Sequence, residues 1–113
     1  MKTITSLLLT LLWIGTVFTS NVMADASKGQ RFYLKKLKSS CKKSGVKSGD
    51  IFALQHNRYT WKSFKNTNKL QDEWIKICPK AKKKISKMRK KDIKNLYDFV
   101  WKYASDGERP SCG

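Results

Sequence analysis

Asp92-Ile93-Lys94-Asn95-Leu96-Tyr97-Asp98-Phe99-Val100-Trp101-Lys102-Tyr103-Ala104 is the stretch on which the fold turns. Ile93, Leu96, Tyr97, Val100, Trp101 and Ala104 recur at i, i+3, i+4, i+7, i+8 and i+11, which lines apolar side chains along one side of an α-helix. Asp92 puts a negative charge at the positive end of the helix dipole, and Gly107 with Pro110 closes the far end.

Upstream, Lys80 to Lys91 is mostly charge, interrupted by Ala81, Ile85 and Met88. Like charges at neighbouring helical positions work against a helix there. Leu70, Trp74 and Ile77 form another stripe at helical spacing, which stops at Cys78-Pro79 because the residue before proline avoids the helical region. Asn66-Thr67-Asn68 reads as a turn, and Trp61 with Phe64 marks a brief helix. Asp50 can cap a short helix carrying Ile51, Phe52 and Leu54, which Asn57 breaks. Ser27 can cap a first helix running to about Ser39, its apolar side made of Phe32, Tyr33, Leu34 and Leu37. Cys41 ends it, and Ser44-Gly45 to Ser48-Gly49 is a loop. No period-two alternation is long enough to argue for a sheet. The expected fold class is all-α.

Lys2, the apolar run Leu7 to Val17 and the small-residue end Val22-Met23-Ala24 read as a secretory signal peptide, residues 1–24. It is too short and wrongly flanked for a stable membrane span. Removing those 24 of the 113 residues leaves 89, one small domain over 25–113 with room for a modest core. The expected location is periplasmic or secreted. Against 25 Lys+Arg the chain has eight Asp+Glu, and only Lys2 of these lies in the leader, so the net +17 becomes +16 in the exported part. Four cations are arginines and the rest lysines, a mix that favours long-range attraction to anionic partners over bidentate recognition.

Cys41, Cys78 and Cys112 all lie beyond the leader, so an oxidising compartment predicts one disulfide and one leftover thiol. Three pairings are open. No two cysteines are close in sequence and His56 is the single histidine, so a metal site is not expected. With one histidine, and only Asp72-Glu73 as adjacent acids, no nucleophile–base–orienter set stands out, and enzymatic activity is not expected. Asp50, Glu73 and Asp98 have no spacing that favours glycoside chemistry. Tyr59-Thr60-Trp61-Lys62-Ser63-Phe64-Lys65 interleaves aromatics with lysines as a single-strand platform would. A domain this small needs Trp61 and Phe64 for its core, and nucleic acid is not an expected partner.

Gly29 followed by Phe32 and Tyr33, together with the Asp92-Ile93-x-x-Leu96-Tyr97 opening of the last helix, resembles the frame of small class I cytochromes c. The cysteine layout, His56 ahead of Trp61, and the ending Tyr103-Ala104-Ser105-Asp106 through Ser111-Cys112 are similar to small exported bacterial proteins described as cytochrome-c-like. The resemblance implies that the first and last helices cross, with Gly29, Phe32 and Tyr33 meeting Leu96, Tyr97 and Val100. The family's haem attachment motif is C-x-x-C-H. In its register this chain reads Leu37-Lys38-Ser39-Ser40-Cys41, with no thiol at either attachment position, so covalent attachment in that manner is chemically excluded. Met88 stands where the family's axial methionine lies, and His56 is the one candidate second ligand for haem held without covalent bonds.

Lys82-Lys83-Lys84 and Arg89-Lys90-Lys91 are the expected electrostatic docking residues. The leading expectation is a haem-free, exported binding or accessory protein that docks an acidic electron-transfer or envelope partner. One alternative is a secreted polycation acting on anionic membrane or glycan; a second is an electron carrier with non-covalent haem on Met88 and His56.

Overall fold

The computed structural model describes residues 25–109. The expected leader 1–24 and the last four residues, with Cys112, lie outside the described residues. Those described are helices and connecting turns, without a strand. Helix α1 covers 25–43, followed by α2 (Gly49–Ala53), α3 (Arg58–Asn66) and α4 (Leu70–Ile77). A 3₁₀ turn (Pro79–Ala81) leads into α5 (Lys82–Ser86), and α6 (Lys90–Lys102) completes the order. The first and last helices pack together, and one core collects Tyr33, Leu37, Phe52, Trp61, Trp74, Ile85, Leu96 and Val100, all fully buried.

Helix α1 runs further than the sequence implies. Residue 25 is already helical, so Ser27 sits inside the helix rather than capping it, and Cys41 lies within the final turns. Its buried positions Gly29, Tyr33, Leu37 and Cys41 are four residues apart. Each such step overshoots a 3.6-residue turn by about 40°. The segment Tyr33–Leu37 is a π-helix, and Lys38 N–H donates five residues back to the Tyr33 carbonyl. That wider turn takes back most of the overshoot and keeps the buried positions on one face. The helix ends in a Schellman motif. Gly45, at φ +95°, donates to the Lys42 carbonyl, Val46 donates to the Cys41 carbonyl, and the Val46 side chain is buried.

Gly29 decides how closely α1 approaches α6. A Cβ there would land on the Asn95 carbonyl oxygen and lie 2.9 Å from the Phe99 Cβ. Only hydrogen fits between the two backbones. Below this contact the Tyr33 ring faces Phe99, with centroids 6.4 Å apart, and Phe52 lies 5.0 Å from Tyr33 on the other side. The residues of α6 nearest Gly29 are therefore Asn95 and Phe99, which the expected set of Leu96, Tyr97 and Val100 did not include. Helix α6 is covered on more than one side: Leu96, Val100 and Ala104 are buried in the core, while Asn95 and Phe99 are buried beside α1. Trp101, expected in the stripe, is instead 38 % exposed. The Arg58 guanidinium lies 4.0 Å from its ring centroid. Arg58 also donates to the Trp101 and Lys102 carbonyls, so it satisfies the orphan acceptors at the end of α6.

Leu34 and Ile51 are exposed, and the short helix α2 buries Phe52 and Ala53 instead. Ser48, not Asp50, precedes α2, and its hydroxyl donates to the Asp50 carboxylate in the first turn. Asn57 caps α3 by accepting from Thr60 N–H at 2.8 Å. Trp61 is fully buried and donates through Nε1 to the Ala53 carbonyl at 3.0 Å, which ties α3 to α2. Cys41 and Cys78 form a disulfide with Cα atoms 4.8 Å apart, closing a sequence separation of 37.

Gly29→Ala is expected to destabilise the protein by about 1–3 kcal/mol through overpacking at a contact that has no flexible side chain to yield. The measure is the urea unfolding midpoint. Replacing Cys41 and Cys78 together by Ala is expected to cost about 4 kcal/mol, the loop-closure value for a separation of this size. Reducing agent should destabilise the native protein and leave the doubly substituted one unchanged.

Candidate functional site

The charged stretch after α4 is held by a few apolar anchors. Ala81 and Ile85 point inward, 1 % and 0 % exposed, while Lys80, Lys82, Lys83, Lys84, Arg89, Lys90 and Lys91 are exposed. The helix α5 is one short turn, consistent with like-charge repulsion limiting its length. The disulfide fixes the start of the stretch. Two contacts then bring it against the end of α1: Lys80 N–H donates to Ser44 Oγ at 3.1 Å, and Lys84 Nζ reaches Ser40 Oγ at 3.4 Å. Lys42 and Lys43 lie in the last turn of α1, between the two serines that make these contacts. Nothing in the local sequence around either segment signals this, because the link is made by residues far apart in the chain.

The acids have other employment. Asp25 and Asp98 both hold Lys94 Nζ, at 2.7 and 3.0 Å. Hydrogen bonding to them raises the Lys94 pKa, and the bond from Lys94 lowers that of Asp25. Asp92 pairs with Arg89 at 3.1 Å, Glu73 with His56, and Asp106 accepts from Arg58 N–H at 2.8 Å. Among the described residues Lys94 and Arg89 are the only lysine or arginine side chains in an ion pair with a carboxylate. The field around the remaining cations is thus not cancelled locally, and it extends over about a Debye length of 8 Å at physiological salt.

An open groove of about 570 Å³ adjoins the basic stretch. Leu70 of α4, Ile93 and Tyr97 of α6, and Met88 from the connection before it give it apolar walls. Lys65, Lys90 and Lys94 stand around them, and Asn68, Gln71 and Ser86 complete the lining; no acid contributes. Leu70 and Tyr97 are only 5 % and 8 % exposed, so the half-buried Met88 and Ile93 supply most of the open apolar surface. Gln71 Nε2 donates to the Ile85 carbonyl at 2.8 Å and locks α4 to α5. Asn68 adopts φ 57° in the turn before α4. The Lys65 ammonium lies 4.9 Å from the Tyr97 ring centroid, a cation–π contact that keeps a charge beside the apolar wall. Burial, with the Asp98 charge second, raises the Tyr97 pKa and keeps its phenol neutral. Lys65, Tyr97 and Ser86 were not apparent as site residues because three separate helices supply them.

Met88 and His56 have different surroundings. Met88 lines the groove, to which His56 makes no contribution. His56 Nε2 is engaged with Glu73 Oε2 at 2.7 Å, and its ring sits edge-on to Trp61 and Phe64 at 4.8 and 5.1 Å. Cys41 is in the disulfide, and Leu37 is fully buried in side-chain packing. These residues do not fit a methionine–histidine haem site. Among the described residues no group of three or more His, Cys, Asp or Glu is placed to hold a metal ion. No helix among them is long and apolar enough to cross a membrane. Trp61 is inside and Phe64 is packed against the core, so the aromatic–lysine segment 59–65 offers only Tyr59 as an exposed ring.

Compared with protein-family models, with curated proteins and with solved structures, the chain matches none.

Two buried polar atoms, Tyr33 Oη and Trp74 Nε1, have no hydrogen-bond partner among the described residues. Burial, with Asp50 as the smaller cause, pushes the Tyr33 phenol up to about 12 from the ordinary 10.0. The folded state therefore keeps this proton longer than the unfolded chain does. The associated stability is complete below pH 10 and is lost as pH rises toward 12. For Tyr33→Phe, stability at neutral pH is expected to be unchanged or about 1 kcal/mol higher, since an unpaired buried hydroxyl is removed. Its alkaline destabilisation should be smaller than the native protein's by about 2–3 kcal/mol at the high end. Urea unfolding across that pH range, with phenolate absorbance to follow titration, measures both.

Proposed function

We propose that this chain is an exported, strongly basic binding protein that acts by docking an acidic protein partner through Lys82–Lys91 and the adjoining end of α1. The observation that carries this reading is the division of charge. Five of the eight carboxylates, Asp25, Glu73, Asp92, Asp98 and Asp106, are engaged by Lys94, Arg89, His56 and the Arg58 backbone N–H, while Lys82, Lys83, Lys84, Lys90 and Lys91 stand exposed with no carboxylate partner among the described residues, on a framework fixed by Ile85 and the disulfide. Such an arrangement steers an anionic surface toward one side and speeds encounter. The close crossing of α1 and α6 at Gly29 supports taking the frame as cytochrome-c-like, stripped of haem attachment. A free polycation acting on anionic lipid or glycan is the competing reading, and it predicts binding that depends on total charge rather than on which lysines are kept.

The test uses two variants of equal net charge. One carries Lys82→Gln, Lys83→Gln, Lys84→Gln and Lys90→Gln; the other carries Lys35→Gln, Lys36→Gln, Lys47→Gln and Lys62→Gln. In low-salt pulldowns from the exported fraction, the native protein and the second variant should recover the same acidic protein. The first variant should bind it about tenfold more weakly, the equivalent of 1.4 kcal/mol. Equal loss in both variants, or recovery of acidic proteins in proportion to their abundance, would leave a nonspecific polycation.

A further inference from the structure

The groove beside the docking stretch has a chemistry that charge attraction alone does not require. Its walls of Leu70, Met88, Ile93 and Tyr97 are apolar, and its volume of about 570 Å³ falls in the range of clefts that hold a ligand. We propose that the groove seats one large apolar side chain of the acidic partner, so that the partner is recognised through an apolar residue flanked by carboxylates. This inference rests on the docking reading above and adds the partner's recognition element to it.

Three observations converge on that occupant. Met88 and Lys90 belong both to the basic stretch and to the groove lining, so a segment bound along the stretch passes over the groove mouth. The lining contains no acid, and of its three lysines Lys94 is already neutralised by Asp25 and Asp98. Lys65 and Lys90 have no carboxylate partner among the described residues and stand ready for those of a bound segment. The Lys65 ammonium over Tyr97 further sets one of these charges against the apolar wall, where an anchor's neighbouring carboxylate would lie. A purely acidic segment would leave the walls in contact with water, and a purely apolar one would leave the two ammonium groups unmatched. The combination satisfies both.

The experiment measures binding of two fluorescent synthetic peptides of equal length and charge, both glutamate-rich, one with a central Phe and the other with Ser in its place. Burial of a phenyl side chain predicts that the Phe peptide binds the native protein about tenfold more tightly. Ser86→Trp fills the groove from an exposed position at the end of α5. It should abolish that advantage, bringing the affinity for the Phe peptide down to that for the Ser peptide. Lys65→Gln provides a second variant that spares the core: it should weaken the Phe peptide more than the Ser peptide. Circular dichroism confirms that each variant folds. Equal affinity of the two peptides for the native protein would overturn the groove assignment and leave the docking reading standing. Failure of both peptides to bind even at low salt would overturn both. A Phe advantage that survives both substitutions, or that is displaced by vesicles containing phosphatidylglycerol but not by unlabelled Phe peptide, would also overturn the assignment.

Discussion

Gly29 lets two helix backbones approach until only a hydrogen atom separates α1 from Asn95 and Phe99 of α6. Much else in the molecule depends on that approach. It brings Tyr33 face to face with Phe99, and Tyr33 in turn supports Phe52, whose ring neighbours Trp74. This aromatic series links α1, α2, α4 and α6, of which α2 and α4 are individually too short to be stable without burying a side. The π turn at Tyr33–Leu37 serves the same contact, since it keeps Leu37 and Cys41 pointed inward after Gly29 and Tyr33 have been set by the crossing.

The far end of α1 carries the second constraint. Cys41 reaches Cys78 only because the helix continues past Ser39 with the right face inward, and the disulfide then places Pro79–Ala81 and α5 beside the last turn of α1. A stretch this rich in lysine has little tendency to order by itself. It is ordered here by one covalent bond, the buried Ala81 and Ile85, and the Gln71 hydrogen bond to the Ile85 carbonyl. The lysines are consequently displayed from fixed points, although each side chain remains mobile in water. The same anchoring forms one wall of the groove, so the charged surface and its apolar neighbour share a single support.

Electrostatics divides the chain by role. Asp25, Asp92, Asp98, Glu73 and Asp106 each hold a partner that positions a helix or its end. Surface ion pairs of this kind contribute little stability individually, but engaging five of the eight acids in this way leaves most of the excess positive charge unopposed. Aromatic residues divide similarly. Trp61 and Trp74 are fully internal, whereas Trp101 lies under Arg58 at the surface and helps to close α6.

Periodicity made the helices legible. The α6 stripe, the Leu70–Trp74–Ile77 stripe, the Asn66–Asn68 turn and the stop at Cys78-Pro79 are consequences of local geometry, and the all-helical class follows from them. A stripe does not say how many sides of a helix are covered, which is why Phe99 was missed and Trp101 was placed inside. Composition fixed the charge excess, and three cysteines left the pairing open until folding brought Cys41 to Cys78. Of the site, the exposed cations from Lys82 to Lys91 were readable as a run of like charge. The contact of the basic stretch with the end of α1, the engagement of His56 by Glu73 away from the groove that Met88 lines, and the meeting of Lys65, Ser86 and Tyr97 at that groove were not. Backbone preference and hydrophobic period act over a few residues and are written in the sequence. Which distant side chains share a wall is set by the close packing of whole helices, and only the tertiary structure decided it.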